Sequence, residues 1–298
     1  AAGIFTKLIG FLYRIPMANL LGNQGNGVYS VAYGIYTITL TLSSMSLPTA
    51  VSKVVSARLA REEGRNASRV LAMALLFALV MGTFSFSLLY FGADMLEELY
   101  STAGLHRPLQ VLAPTSFLFA FLGVMRGYTQ GQGNMTPTAV SQVLEALLKL
   151  GIGLPLAWYV LHIGKTAELS AAGAIVGVTA GTAVSMLFLC GYLATHRNRK
   201  ESLDVPSSSG QVIKQILLIG VPITLSNSAM SIINIIDTKI VMGRLQSALG
   251  LSETAAAVLN GQYSMAMDMP NMVASFVYPV TMSLIPFAAA ALARQDHG

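Results

Sequence analysis

The stretch RGYTQGQGNMTPTAVSQVLEALLK, Arg126 to Lys149, joins one apolar segment to the next and places Glu145 and Lys149 inside the second. A central Asp, Lys or Arg in a membrane helix costs about 2.5 to 3.5 kcal/mol on insertion scales, so such positions are functional candidates. Glu145 and Lys149 are spaced i,i+4 with the acid nearer the N-terminus, the favoured order for a helical ion pair. Gln142 shares their face. Upstream, Gly127, Gly131 and Gly133 loosen the backbone, Thr136 is placed to cap, and Pro137 suits a first helical turn. The stretch therefore reads as a tight turn feeding a membrane helix that carries a paired acid and base.

Outward from this stretch, composition sets the class. Charged residues make up 10% of the chain and hydrophobic residues 54%, whereas a soluble domain carries about 25% charged residues. The apolar segments are long enough to cross a hydrocarbon core of about 30 Å as helices, and the alternating strands of a membrane barrel are absent from the sequence. The fold class is all-α, a polytopic membrane protein of about eight transmembrane helices. These are expected near residues 3–21, 28–51, 70–91, 108–127, 137–161, 169–195, 212–242 and 258–292. A Gly/Asn hinge at Gly22–Gly27 separates the first two, and Pro48 lies near the end of the second. The first contains Lys7, Arg14 and Pro16, which a cleavable signal peptide would not. The chain opens at Ala1 without a methionine, so further N-terminal residues are expected. The single cysteine, Cys190, lies in an apolar run and excludes an internal disulfide framework.

The net charge of +5 does not point to nucleic acid, because the bases cluster between hydrophobic segments. Lys53, Arg58, Arg61, Arg65, Arg69, Arg126, Arg197, Arg199, Lys200, Lys214 and Arg294 fall on one set of alternate loops. The other set holds Arg107, Lys165 and Arg244. This asymmetry places the N-terminus and the basic loops in the cytoplasm. The acidic run Asp94, Glu97 and Glu98 reads as a solvated outer loop.

A short internal echo links Gly27-Val-Tyr29-Ser30-Val-Ala32 to Gly261-Gln-Tyr263-Ser264-Met-Ala266. If it reflects a repeat, the seventh and eighth helices repeat the first and second. The phrases GFLYRIPMANLLGNQGNGVYSVAYGIY, LPTAVSKVVS, RGYTQGQGNMTPTAVSQVLE and VPITLSNSAMSIINIIDTKIVMGRLQ resemble the polysaccharide-biosynthesis branch of the multidrug/oligosaccharidyl-lipid/polysaccharide exporter superfamily. Within that branch they are similar to the stage V sporulation protein B group, related to lipid II flippases. The resemblance implies a first six-helix lobe over 1–195, a cytoplasmic inter-lobe loop over 196–211, and the first two helices of a second lobe over 212–298. It also implies a bacterial inner-membrane transporter that flips a lipid-linked glycan of the undecaprenyl-diphosphate type by alternating access.

In that setting Lys7 and Arg14, seven apart on one face, are assigned to the lipid diphosphate. Lys7 matches the family's base before Leu-Gly-Phe, Arg14 is one place off the next, and Asn26 stands where the flippases carry an acid. Glu145 and Lys149 are assigned to the same path. In the second lobe, Asn227, Asn234 and Asp237 form one stripe, while Ser264, Asp268, Asn271 and Ser275 form another. The substrate-binding set is Lys7, Arg14, Glu145, Lys149, Asn234, Asp237 and Asp268. No cofactor or metal is expected: the four histidines, His106, His162, His196 and His297, lie at segment ends or in loops, and no phosphate-binding Walker loop is present. An ion-coupled exporter of cationic drugs is the alternative transporter, and would add a coupling ion as partner. A membrane scaffold for wall or spore-coat synthesis is the alternative outside transport.

Overall fold

The computed structural model describes residues 2–44, 46–100, 104–164, 166–196 and 208–250, together with Leu259. The described chain is helical, and it divides into a compact unit of Ile4–Ser228 and a second unit from Ala229 onward. Five of its helical stretches, Gly64–Phe91, His106–Gly131, Thr136–His162, Leu169–Thr195 and Ser209–Ala229, are long and apolar enough to cross a bilayer. The expected eighth helix, with Asp268 and the second half of the internal echo, lies outside the described residues.

Helix α1, Ala2–Ser43, is helical in backbone through the region where the sequence predicts a hinge. It is not straight. Tyr13 and Tyr33 would stand roughly 30 Å apart along a straight helix, yet the same Lys149 ammonium lies 4.7 Å from one ring centroid and 4.9 Å from the other. The element folds back between them, in the interval that holds Pro16 and glycines 22, 25 and 27. The next break precedes Pro48 instead of following it. Helix α2, Leu47–Leu59, starts with that proline in its first turn, where a missing N–H breaks no hydrogen bond.

Helix α3, Gly64–Phe91, is followed by a short α4, Ala93–Leu99, and by α5, His106–Gly131. Glu97, expected to be solvated, joins α4 to the start of α5 by accepting hydrogen bonds from the Gly104 and His106 amides. Helix α5 is the central element, with 61% of its apolar window buried against 28% for α3. Its glycines give close approach instead of looseness. A Cβ on Gly127 would sit 2.5 Å from the Pro48 carbonyl oxygen, and one on Gly131 would sit 2.7 Å from the Val55 Cβ. Gly133 alone of the three has a positive φ, +78°. It ends the helix in a Schellman arrangement, with its own amide on the Gln130 carbonyl and the Asn134 amide on the Thr129 carbonyl. Thr136 is not the cap: it is helical, Met135 precedes the helix without a side-chain cap bond, and the Thr136 amide donates to the Asn134 side chain at 3.1 Å.

The predicted fifth helix is three pieces, α6 Thr136–Leu148, a π-helical turn Lys149–Gly153 and α7 Leu154–His162. Pro155 has no N–H to give the Gly151 carbonyl, and the wide turn accommodates that defect. Helix α8, Ala167–Thr195, packs along all three pieces. A Cβ on Gly173, Gly177 or Gly181, four residues apart each time, would come within 3.3, 2.4 and 2.7 Å of backbone atoms of Leu156, Gly153 and Glu145. Small residues on one stripe let two membrane backbones meet.

The apolar core also contains hydroxyls, while the outer face is hydrocarbon. Thr115, Ser116, Thr129, Ser141, Ser170, Thr182 and Ser185 are buried, while Leu76, Val80, Phe84, Leu187, Leu218 and Leu225 are exposed. Thr115 meets Thr179 across α5 and α8 at 2.6 Å, and Ser170 and Ser185 donate to the Ala157 and Ser141 carbonyls at 2.7 and 2.8 Å. Exposed hydrocarbon over internal hydroxyls that mostly find partners, Ser85 and Ser228 excepted, is what a bilayer demands, and water would disfavour it.

Helix α9, Ser209–Leu249, begins within the first compact unit. Val212 and Ile216 join a core with Val51, Val54, Val70 and Ala74, and Thr224 donates to Ser46 at 2.7 Å. At the basic end, Arg69 reaches Ser209, while Arg58 reaches Gln215 at 3.0 Å and Glu63 at 2.6 Å. The Arg58 guanidinium holds the Glu63 carboxyl below its usual range. A depressed folded value means that this stabilisation is present at neutral pH and is lost as pH falls through it. The melting difference between the native protein and Glu63→Gln is therefore expected at pH 7 and should shrink and vanish as the pH is lowered through the depressed folded value of the carboxyl. A difference that persists below it would assign it to packing.

Candidate functional site

Glu145 is the one carboxylate within the five described spans. Its partner is not the one its spacing predicts. Arg126, on α5 and only 8% exposed, donates from Nη2 to Glu145 Oε2 at 2.8 Å and from Nε to Ser141 Oγ at 2.9 Å. Ser141 is free to accept because its own proton goes to the Thr138 carbonyl at 2.7 Å. Thr129 and Thr138 close the network at 3.1 Å. The i,i+4 pair of Glu145 with Lys149 is thus replaced by an interhelical pair. A guanidinium presents two planar donors to the carboxylate and serine on α6, which a lysine on the same helix cannot match.

Lys149 turns instead to α1. Its ammonium lies over the rings of Tyr13 and Tyr33, well inside the roughly 6 Å reach of a cation–π contact. Tyr29 stacks on Tyr33 at 5.8 Å, Tyr36 tilts against Tyr33 at 5.6 Å, and Tyr13 donates to the Ala174 carbonyl at 3.5 Å. Two bases and one acid meet at this wall of the bundle, a formal excess of one positive charge. Every charge in it has a polar or aromatic neighbour. Among the described residues, no group of three or more His, Cys, Asp or Glu side chains is placed to hold a metal ion.

The structure therefore brings together two of the sequence-assigned residues, Glu145 and Lys149, and adds Arg126, Ser141 and the tyrosines of α1. The backbones of Lys7 and Arg14 lie in α1, and those of Asn234 and Asp237 in α9. Their side chains, and Asp268 entirely, lie outside the described part. Arg126 counted in the sequence only as a topology signal. Its position inside a span, 19 residues before an intramembrane acid, was the available clue. The tyrosines were also legible in part, since Tyr29, Tyr33 and Tyr36 fall at helical spacings of four and three.

Comparison with known proteins gives a consistent result. The family model described as polysaccharide biosynthesis protein matches residues 1–291. Stage V sporulation protein B of Bacillus subtilis is 30% identical over 291 residues, covering 96% of this chain and 56% of that protein. Lipid II flippase MurJ of the same organism is 27% identical over 198 residues, covering 61% of this chain and 36% of the flippase. The chain spans about half the length of the curated relatives it matches over most of its length. Among solved structures, the outward-facing conformation of a multidrug resistance MATE family transporter of the MOP superfamily superposes with a TM-score of 0.71 at 19% identity, over 92% of this chain and 60% of that one. That likeness shows a MATE-like transporter fold.

Proposed function

Because this chain belongs to the polysaccharide biosynthesis protein family, we propose that it works as part of a transporter that flips or exports a lipid-linked oligosaccharide across the bacterial inner membrane. The single observation that carries the reading is the charged cluster of Arg126, Glu145 and Lys149, held inside a bundle whose outer face is hydrocarbon. A membrane protein retains intramembrane charge at a cost, and the excess here is positive, which suits a diphosphate. Lys7 and Arg14 are the proposed diphosphate contacts. Asn234, Asp237 and Asp268 are assigned to substrate binding on sequence grounds. Transport proceeds by alternating access of two lobes, with the N-terminus and basic loops cytoplasmic.

Arg14→Ala in the intact protein, reconstituted in vesicles, is expected to abolish translocation of an undecaprenyl-diphosphate sugar while leaving expression unchanged. Normal flipping would remove Arg14 from the mechanism. If cationic dye were exported in place of the lipid-linked sugar, the ion-coupled drug exporter would take over as the reading. For orientation, Arg199→Cys in a chain lacking Cys190 should resist an impermeant maleimide in intact cells. Labelling there would invert the topology.

A further inference from the structure

Lys149 occupies an enclosure that three separate elements build. Tyr13 and Tyr33 face its ammonium at 4.7 and 4.9 Å, and they meet only because α1 folds back. Tyr13 is tied to α8 through the Ala174 carbonyl, and Tyr29 and Tyr36 back the Tyr33 ring. The π turn that starts at Lys149 is itself fixed against α8, since a Cβ on Gly177 would lie 2.4 Å from the Gly153 nitrogen and 3.0 Å from the Lys149 carbonyl oxygen. The carboxylate one helical turn away is engaged by Arg126 at 2.8 Å. The enclosure thus presents aromatic faces to a cation and no carboxylate in ion-pair contact with it. Such a surface selects a compact ammonium, as aromatic cages do in general.

We propose that the tyrosine cage of Tyr13 and Tyr33, backed by Tyr29, is an ammonium-binding site whose resident ligand is the chain's own Lys149. Emptied of that side chain, it takes a free primary alkylammonium ion. A primary alkylammonium reproduces both the ammonium that faces the rings and the methylenes that lead to it, so it is a closer stand-in for the lysine than a bare alkali ion. This inference is independent of the transport reading. Its consequence is that the positive charge beside Glu145 is supplied covalently, with no call on a cation from solution.

The test uses the intact protein in detergent. Lys149→Ala should melt lower than the native chain, and n-propylammonium chloride should raise that melting point saturably. Sodium chloride at the same ionic strength should not. The native protein, with its cage full, should be unmoved, and Lys149→Ala with Tyr33→Leu should lose the response. No saturable rise, or an equal rise in the native protein or in the double variant, overturns the proposal. If Lys149→Ala does not accumulate, its yield from cells grown with propylammonium decides in the same way: a rise of threefold or more supports the cage, and no rise rejects it.

Discussion

Replacing Glu145 with leucine is expected to lower stability by about 3 to 5 kcal/mol, the usual consequence of breaking a buried ion pair from one side. The size follows from what remains. Arg126 is buried, its Ser141 contact is neutral, and Lys149 stands one turn away, so two cations lose their one neighbouring carboxylate. Arg126→Met alone should be milder, because Glu145 then has Lys149 at i,i+4 within reach. The combination of Arg126→Met with Glu145→Leu should recover most of the loss, since replacing both partners with apolar groups can be near neutral. Glu145→Gln with Lys149→Met should recover little, although the sequence spacing predicts that pair as the unit. Thermal or denaturant melts of the four variants in one detergent settle which partner is real. Additive losses for Arg126 and Glu145 would reject their coupling.

A methyl group on Gly127 should also be costly. In an exposed helix interior, glycine to alanine stabilises by roughly 0.5 to 1 kcal/mol, and a glycine that merely loosens a turn would follow that rule. Gly127 lies instead against backbone: its added Cβ would stand 2.5, 2.8 and 3.0 Å from the carbonyl oxygen, Cα and carbonyl carbon of Pro48. None of these atoms can rotate away, and α2 would have to move off α5. The expected effect of Gly127→Ala is a loss of about 1 to 3 kcal/mol or more. Gly191→Ala on α8, with nothing within 4 Å, should be neutral or stabilising. A stabilised Gly127→Ala would show that α2 and α5 do not touch there. The sign alone separates the two accounts.

These variants mark where the sequence was and was not legible. Helix class, membrane setting and approximate spans followed from apolar length and sparse charge, because a bilayer constrains composition directly. The boundaries at Pro48 and Pro155 did not. A proline within an apolar run is compatible with a kink, a new helix or a π turn, and neighbouring helices decide between them. Glu145 and Lys149 were legible as expensive charges, but their partners come from α5 and α1. Spacing within one helix carries no information about what faces it. The glycines misled for the same reason: Gly127 and Gly133 look alike in sequence, yet one is a contact surface and the other a helix stop at φ +78°.

The burial of Val212 and Ile216 against Val54 and Val70 also sets an order of events during synthesis. Those partners leave the ribosome roughly 140 to 160 residues ahead of the side chains that cover them. Until α9 arrives, the seam along α2 and α3 must be held by lipid or by an insertion chaperone, and the hydroxyl of Ser46 must wait for Thr224. The first part of α9 is thus the last stave of the bundle formed by the helices before it. A ribosome that stalls before Ser228 would release a bundle still open on that side.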